Sequence, residues 1–447
     1  MRTRTRGKKT PPTHAVPPTE SGGLPWLWSL VVLATHLLAY CGTLFPSIPG
    51  GDATELIFNG CQLSVPHPPG YPLFTLIEWA FIEGLGRLGG YPPAYCANLA
   101  AAVLGAFAAW LLFLTVAEIT DGNVAAATVA SVLFGSGKLV WFYSIQAEVF
   151  SLNNLLVCAI FFLTARYARR VGSGDLLAYC GAFVCGLALT NQHTAVFYVV
   201  PCALYVYWAG RRRLLDWRRT TILILAFGAG LSPYAYLFLA PGLGRPGSWG
   251  DTSNLGGFLT HLLRREYGTF RLFSGTEAEG NNLLVGLGRY VESSFGEDCG
   301  AGLILAALGA ASCLLSRDFG RGRGAIACVL ACFCFYTVTF HYLANLPLSS
   351  KLHLGVHARF WMQSHAALYV VAGAGLARVM ELLGGGARAI KSGAEGGLVP
   401  LCVLLIALMF GSRYKAMDES ENRVLHRAFS EILTKFPEKS RVPGRLL

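Results

Sequence analysis

Charge is scarce in this sequence. Asp, Glu, Lys and Arg make up 14% of its 447 residues, against 53% hydrophobic, where soluble domains carry about 25% charged residues. That shortage excludes an ordinary soluble domain. No Asn-x-Ser/Thr triplet occurs, so no N-glycan marks which side of a membrane a loop occupies. A phosphate-cradling glycine loop, a Cys-x-x-Cys pair and a His-Glu-x-x-His motif are all missing, which removes the sequence warrants for nucleotide, redox and zinc chemistry. Gly384-Gly385-Gly386 reads as flexible punctuation. The 13 cysteines form no disulfide pattern. Cys158, Cys180, Cys185, Cys328, Cys332 and Cys334 sit inside apolar runs, where they read as small apolar residues. The net charge of +11 does not imply nucleic acid, because Lys and Arg cluster in short connectors between apolar runs, the pattern of cytosolic loops.

Those apolar runs recur along the chain, each near the ~20 residues that cross a bilayer. The chain therefore reads as an all-α polytopic membrane protein. Spans are expected at 25–45, 97–118, 125–145, 150–168, 176–191, 194–209, 221–240, 300–316, 325–344, 361–381 and 397–411. Residues 1–24, basic and then Pro/Thr-rich, are expected to be a disordered cytosolic tail ahead of a signal anchor. Residues 72–90 are interrupted by Glu78, Glu83 and Arg87, and read as an amphipathic helix at the far-side interface. With eleven spans, the clusters Arg166/Arg169/Arg170, Arg211–Arg213 with Arg218/Arg219, Arg317/Arg321/Arg323 and Arg388/Lys391 all fall in the cytosol; counting 72–90 as a crossing would invert every one. The membrane module is thus 25–411, with far-side loops 46–96 and 241–299 and a short far-side tail at 412–447.

This topology gathers the polar motifs on the far face. The stretch Pro46-Ser47-Ile48-Pro49-Gly50-Gly51-Asp52-Ala53-Thr54-Glu55 runs on to Pro66-His67-Pro68-Pro69-Gly70-Tyr71-Pro72. Glu148, Asn153, His193, Arg264, Arg265 and Arg359 sit at other far-side turns and span ends. Asp52 followed by Glu55 also resembles a capping box, which would make Asp52 a helix cap. Arg264 and Arg265 have a snorkelling alternative, His67 a backbone hydrogen bond, Asp251 a cap, Lys138 a snorkelling role and His36 helix packing. A fixed acid takes a proton from a hydroxyl nucleophile, and guanidinium forks bind phosphate. Together these suit sugar transfer from a polyprenyl phosphate to a hydroxyl. A transporter or flippase, and a catalytically inactive binding subunit, are the competing readings. Transporters favour internal repeats and broken helices near the midplane, and no repeat is visible.

Gly50–Leu56, Val65–Leu73, Ala147–Asn154, Asn191–Thr194, Leu263–Phe270 and Arg359–Ser364 resemble, as a set, the transmembrane-protein-260 family, over about 40–410. That resemblance implies a GT-C-type helical bundle and an endoplasmic-reticulum protein O-mannosyltransferase, multi-pass with a cytosolic N-terminus. It implies dolichyl phosphate mannose as donor, inversion at the sugar, and Ser or Thr acceptors on secretory or membrane proteins, IPT-type domains among them. Membrane lipid is an expected partner and nucleic acid is not. The resemblance implies no tightly bound cofactor and decides nothing about a divalent metal. Asp52 matches the acid of the first luminal loop and Glu148 the second acidic site. Glu55 and His67 complete the expected catalytic set, and His193, Asn153, Arg264, Arg265 and Arg359 the substrate-binding set. Animal relatives continue into a large luminal domain, of which 412–447 would be a remnant or a start.

Overall fold

A computed structural model describes residues 23–171, 173–266, 268, 283–298, 300–315, 322–383 and 395–434. Residues 1–22 of the tail expected at 1–24, Tyr267, Thr269 and Phe270, the basic residues Arg317, Arg321, Arg388 and Lys391, and 435–447 lie outside the described residues, while Gly23 and Leu24 already belong to the first helix.

Among the described residues the chain is helical, with no strand. The first helices are α1 (Gly23–Gly42), α2 (Asp52–Gln62), α3 (Pro72–Gly89) and α4 (Pro93–Ile119), then α5 (Val124–Gly135), α6 (Lys138–Ser144) and α7 (Val149–Arg169). Next come α8 (Asp175–Asn191), α9 (Val196–Ala209), α10 (Arg211–Leu214), α11 (Trp217–Gly230) and α12 (Tyr234–Leu239). The long loop holds α13 (Leu255–Leu262) and α14 (Leu283–Asp298), followed by α15 (Ala301–Leu315), α16 (Arg323–Leu343), α17 (Lys351–Ala358), α18 (Trp361–Leu383), α19 (Glu395–Met417) and α20 (Val424–Thr434).

Helix α4 buries residues on every side, so it belongs at the centre of a bundle rather than on its rim. It packs along α7, with α1, α5 and α18 around the pair; α15 lies along α18, and α8 along α11. In that last pair the backbones touch at Gly186 and Gly230, where a Cβ on Gly186 would strike the Phe227 carbonyl. Small residues that allow such approach are a means of packing helices where lipid supplies no hydrophobic drive.

Among the described residues, five helices are long and apolar enough to cross a bilayer, or up to eight if each bent pair is one span. Trp26–Gly42, Asp175–Asn191 and His193–Ala209 are shorter apolar helices at expected spans. Two expected spans are not continuous. The 125–145 segment bends by 68° between α5 and α6, and Trp217–Gly230 meets Tyr234–Leu243 at 43°. The first break has a physical cause. The Glu297 carboxylate accepts the backbone N–H groups of Lys138 (2.6 Å) and Leu139 (3.4 Å), capping α6 from α14. Arg413 of α19 donates to the Ser136 and Glu297 carbonyls. The break lines neither of the cavities described below.

The bundle has two chemically distinct ends. At one, Arg166 pairs with Glu118 at 2.7 Å, Arg169 with Asp121 at 2.6 Å, and Arg213 and Arg219 with Asp175 at 2.8 and 3.0 Å. The loop after α1, helix α2 and the α6–α7, α8–α9 and α17–α18 turns meet at the other.

Candidate active site

Pro46 and Pro49 keep the chain after α1 from continuing as helix. Gly50 (φ 106°) and Gly51 (φ 60°) then turn it through backbone conformations that side chains resist, placing Asp52 as the first residue of α2. Gly51 is the N-cap, and no side-chain cap bond forms. The Asp52 carboxylate instead accepts from Arg359 Nη1 at 2.8 Å. The same guanidinium nitrogen lies 3.7 Å from Glu148 Oε1, and the group sits over the Phe150 ring at 5.4 Å. Glu148 is the residue before α7, in extended backbone. Its side chain is 5% exposed, that of Asp52 40%. Burial pushes the Glu148 carboxyl up to about 8; Arg359 works against that shift and Asp52 adds to it. Burial disfavours the Arg359 charge, but Glu148 and Asp52 outweigh it and hold that group above its ordinary range.

A second pair stands beside the first. Glu55, one turn along α2, accepts the His67 backbone N–H at 2.7 Å and faces His67 Nδ1 at 2.9 Å. Burial raises the Glu55 carboxyl, but the hydrogen bonds and attraction from His67 bring it below its usual value. His67 Nε2 lies 3.3 Å from the Tyr71 hydroxyl, and burial pushes that phenol up to about 12. His193, in the turn between α8 and α9, lies 3.3 Å from the Tyr234 hydroxyl.

These groups line one cavity of about 120 Å³, which takes in Asp52, His67, Tyr71, Glu148, Phe150, Gln192, His193, Thr194, Arg264 and Arg359. Glu55 reaches it only through His67. Two expected site residues lie elsewhere. Arg264 follows α13 in a left-handed turn (φ 51°) and lines the cavity, while the next residue, Arg265, is exposed and does not. Asn153 is one turn into α7, wholly buried in the bundle and outside the lining. Asp251 is not a helix cap: Asn254 caps α13 through the Gly257 N–H at 2.8 Å, and Asp251 accepts from Ser253.

Tyr71, Phe150, Gln192 and Thr194 were not singled out from the sequence, although each lies within a motif that was. Asn98 had no such signal. A lone amide in the apolar run of α4, it donates to the carbonyls of Phe45 (2.9 Å) and Ser47 (3.0 Å) and accepts from the Ala147 N–H (2.9 Å). It thereby ties the first loop to the turn that carries Glu148. Gln363 of α18 donates to Gln192 at 2.8 Å and fixes the third turn. The assembled site offers an accessible carboxylate, a buried acid and two arginines at one small cavity, a set able to take a hydroxyl proton and hold an oxyanion.

Residues 52–215 match the family model described as the Protein O-mannosyl-transferase TMEM260 N-terminal domain. Protein O-mannosyl-transferase TMEM260 of Mus musculus is 36% identical over 436 residues, covering 96% of this chain and 60% of the relative. Its counterpart in Dictyostelium discoideum is 32% identical over 429 residues, covering 90% and 52%. The chain thus spans little more than half the length of these relatives. Among solved structures, ArnT from Cupriavidus metallidurans bound to undecaprenyl phosphate superposes with a TM-score of 0.57 at 14% identity, over 96% of this chain and 83% of that one. The Archaeoglobus fulgidus oligosaccharyltransferase gives 0.50 at 13%, over 92% and 56%. At such identities the likeness concerns the fold, a GT-C-type helical bundle.

Proposed function

This chain belongs to the transmembrane-protein-260 family, and from that premise we propose that it moves mannose from dolichyl phosphate mannose to Ser or Thr hydroxyls of secretory-pathway proteins, IPT-type domains among them, at the luminal face of the endoplasmic-reticulum membrane. The observation that carries this reading is the convergence of Asp52, Glu148, Arg359 and Arg264 on one cavity.

Before donor binds, Arg359 holds Asp52. An entering lipid phosphate competes for the guanidinium, whose fork suits it better than a single carboxylate oxygen does. Asp52 is then released to accept a proton. The acceptor oxygen bonds to C1 of the β-linked mannose as its proton passes to Asp52; the bond from C1 to the phosphate oxygen breaks, and the sugar inverts to an α-mannoside. Arg359 and Arg264 take up the charge on the departing lipid phosphate. Glu55 holds His67 against the cavity, and Glu148, kept largely protonated near neutrality, bonds to the bound sugar or acceptor without adding a second negative charge.

The test is transfer by the purified chain from dolichyl phosphate mannose to a folded IPT-type domain, followed by mass spectrometry. The Asp52→Asn variant keeps the side chain's shape and should insert normally, with transfer lowered roughly 10²–10⁴-fold, the usual contribution of a general base. Near-normal transfer by a well-expressed Asp52→Asn chain would rule Asp52 out as the base.

A further inference from the structure

A second cavity, of about 420 Å³, lies at the opposite end of the bundle from Asp52, between α7, α8, α9 and α11. Its size falls in the ~300–1,000 Å³ range of ligand sites. Its walls are nearly all apolar, with Ile160, Ala182, Val199, Leu223 and Phe227 as examples, and Gly181 leaves one side open: a Cβ there would meet nothing within 4 Å. The arginine connector between α9 and α11 sits at this same end. Asp175 already pairs with Arg213 and Arg219, and Asp216 accepts the Arg219 backbone N–H. Arg211, Arg212 and Arg218 are exposed and have no carboxylate in salt-bridge range among the described residues. Arg211 and Arg218 lie instead over the rings of Trp208 and Trp217, at 5.1 and 5.4 Å. Those two indoles are 64% and 70% exposed, which is how aromatic rings sit at the level of lipid headgroups.

An apolar cavity that reaches Leu214 and Thr220, with exposed and uncompensated arginines on the same connector, is complementary to one kind of molecule. We propose that it binds a single anionic glycerophospholipid, with an acyl chain inside the cavity and the headgroup phosphate on Arg211, Arg212 and Arg218. The arginines supply the preference, since a headgroup with no net charge gains less from them than one with net negative charge. The cavity supplies retention. This site is separate from the Asp52 cavity and does not depend on the reaction proposed there.

The experiment uses the full chain in nanodiscs of equal phosphatidylcholine and phosphatidylserine, with retained lipid read by native mass spectrometry. One phosphatidylserine should remain per chain, with about tenfold preference over phosphatidylcholine at low salt. Replacing Arg211, Arg212 and Arg218 together by Gln should bring the two lipids to equal retention. Those side chains are exposed, so this variant tests the site even if a cavity variant misfolds. Gly181→Leu fills the cavity and should retain neither lipid. Equal retention of both lipids by the unmodified chain would overturn the proposal. So would undiminished phosphatidylserine on a Gly181→Leu chain that elutes normally, or its displacement by polyprenyl phosphate.

Discussion

Arg359 carries more of the site than any other side chain, because two carboxylates and an aromatic face compete for one guanidinium. Lysine would keep the charge and lose the fork and the flat face over Phe150. If Arg359 holds the donor phosphate, Arg359→Lys should raise the donor KM by about 10–100-fold, equivalent to one charge-assisted contact of about 1.5–3 kcal/mol. An unchanged donor KM would remove Arg359 from the phosphate site. Glu148 gives a prediction in pH. Its carboxyl rises from 4.5 to about 8, through burial first, with Asp52 adding and Arg359 opposing. Below 4.5 it is protonated both folded and unfolded, and its burial has no ionisation penalty. Between 4.5 and about 8 the unfolded chain releases that proton and the folded chain keeps it, so this group's contribution to stability falls as pH rises. Glu148→Gln should lose less melting temperature than the parent chain across that window. Equal losses in the two proteins would show that Glu148 ionises normally in the fold.

At the scale of elements, the site is a meeting of turns, and Asn98 is the joint between two of them. Replacing it by Ala leaves the Phe45 and Ser47 carbonyls and the Ala147 N–H without their partner in a buried setting. Each orphaned group costs about 1–3 kcal/mol. Asn98→Ala should therefore lower both melting temperature and mannose transfer, although Asn98 does not line the cavity. Asn98→Asp, which sets a carboxylate oxygen against both carbonyls in a fully buried site, should lower both at least as far. Full transfer by Asn98→Ala would mean that the first loop and the Glu148 turn are positioned by something else. The break between α5 and α6 follows the same logic, since the cap on α6 comes from Glu297, 159 residues away. Neither joint was legible in the sequence. Hydrophobic patterning reports burial along one helix, and a single amide or carboxylate reaching across the bundle leaves no local periodicity. Arg264 and Arg265 were inseparable for another reason: only the left-handed turn after α13 decides which of two adjacent arginines meets the cavity.

The whole molecule was more legible than its joints, because spans and charges obey a global constraint. The expected spans coincide with apolar helices or bent pairs, and described members of three basic clusters lie at one end: Arg166 and Arg169, Arg213 and Arg219, and Arg323, whose neighbour Gly322 packs on the last residue of α4. On the positive-inside rule we propose that this end is cytosolic and the Asp52 cavity luminal. Helix α3 is the element on which this depends. It buries Phe74, Thr75, Glu78 and Ile82 on one side and carries an exposed Glu83–Arg87 pair at 2.6 Å. Such a helix suits an interface better than a crossing; were it a span, every later connector would change sides. The native sequence has no N-glycosylation triplet, so one engineered triplet gives an unmixed readout. A triplet placed within 270–285 should be glycosylated, and one in the turn after Arg170 or after Arg213 should not. A glycan after Arg213 would put the arginine connector in the lumen and, because Asp52 and Glu148 share one end of the bundle through Arg359, leave their cavity on the side away from the one where the donor is proposed to bind.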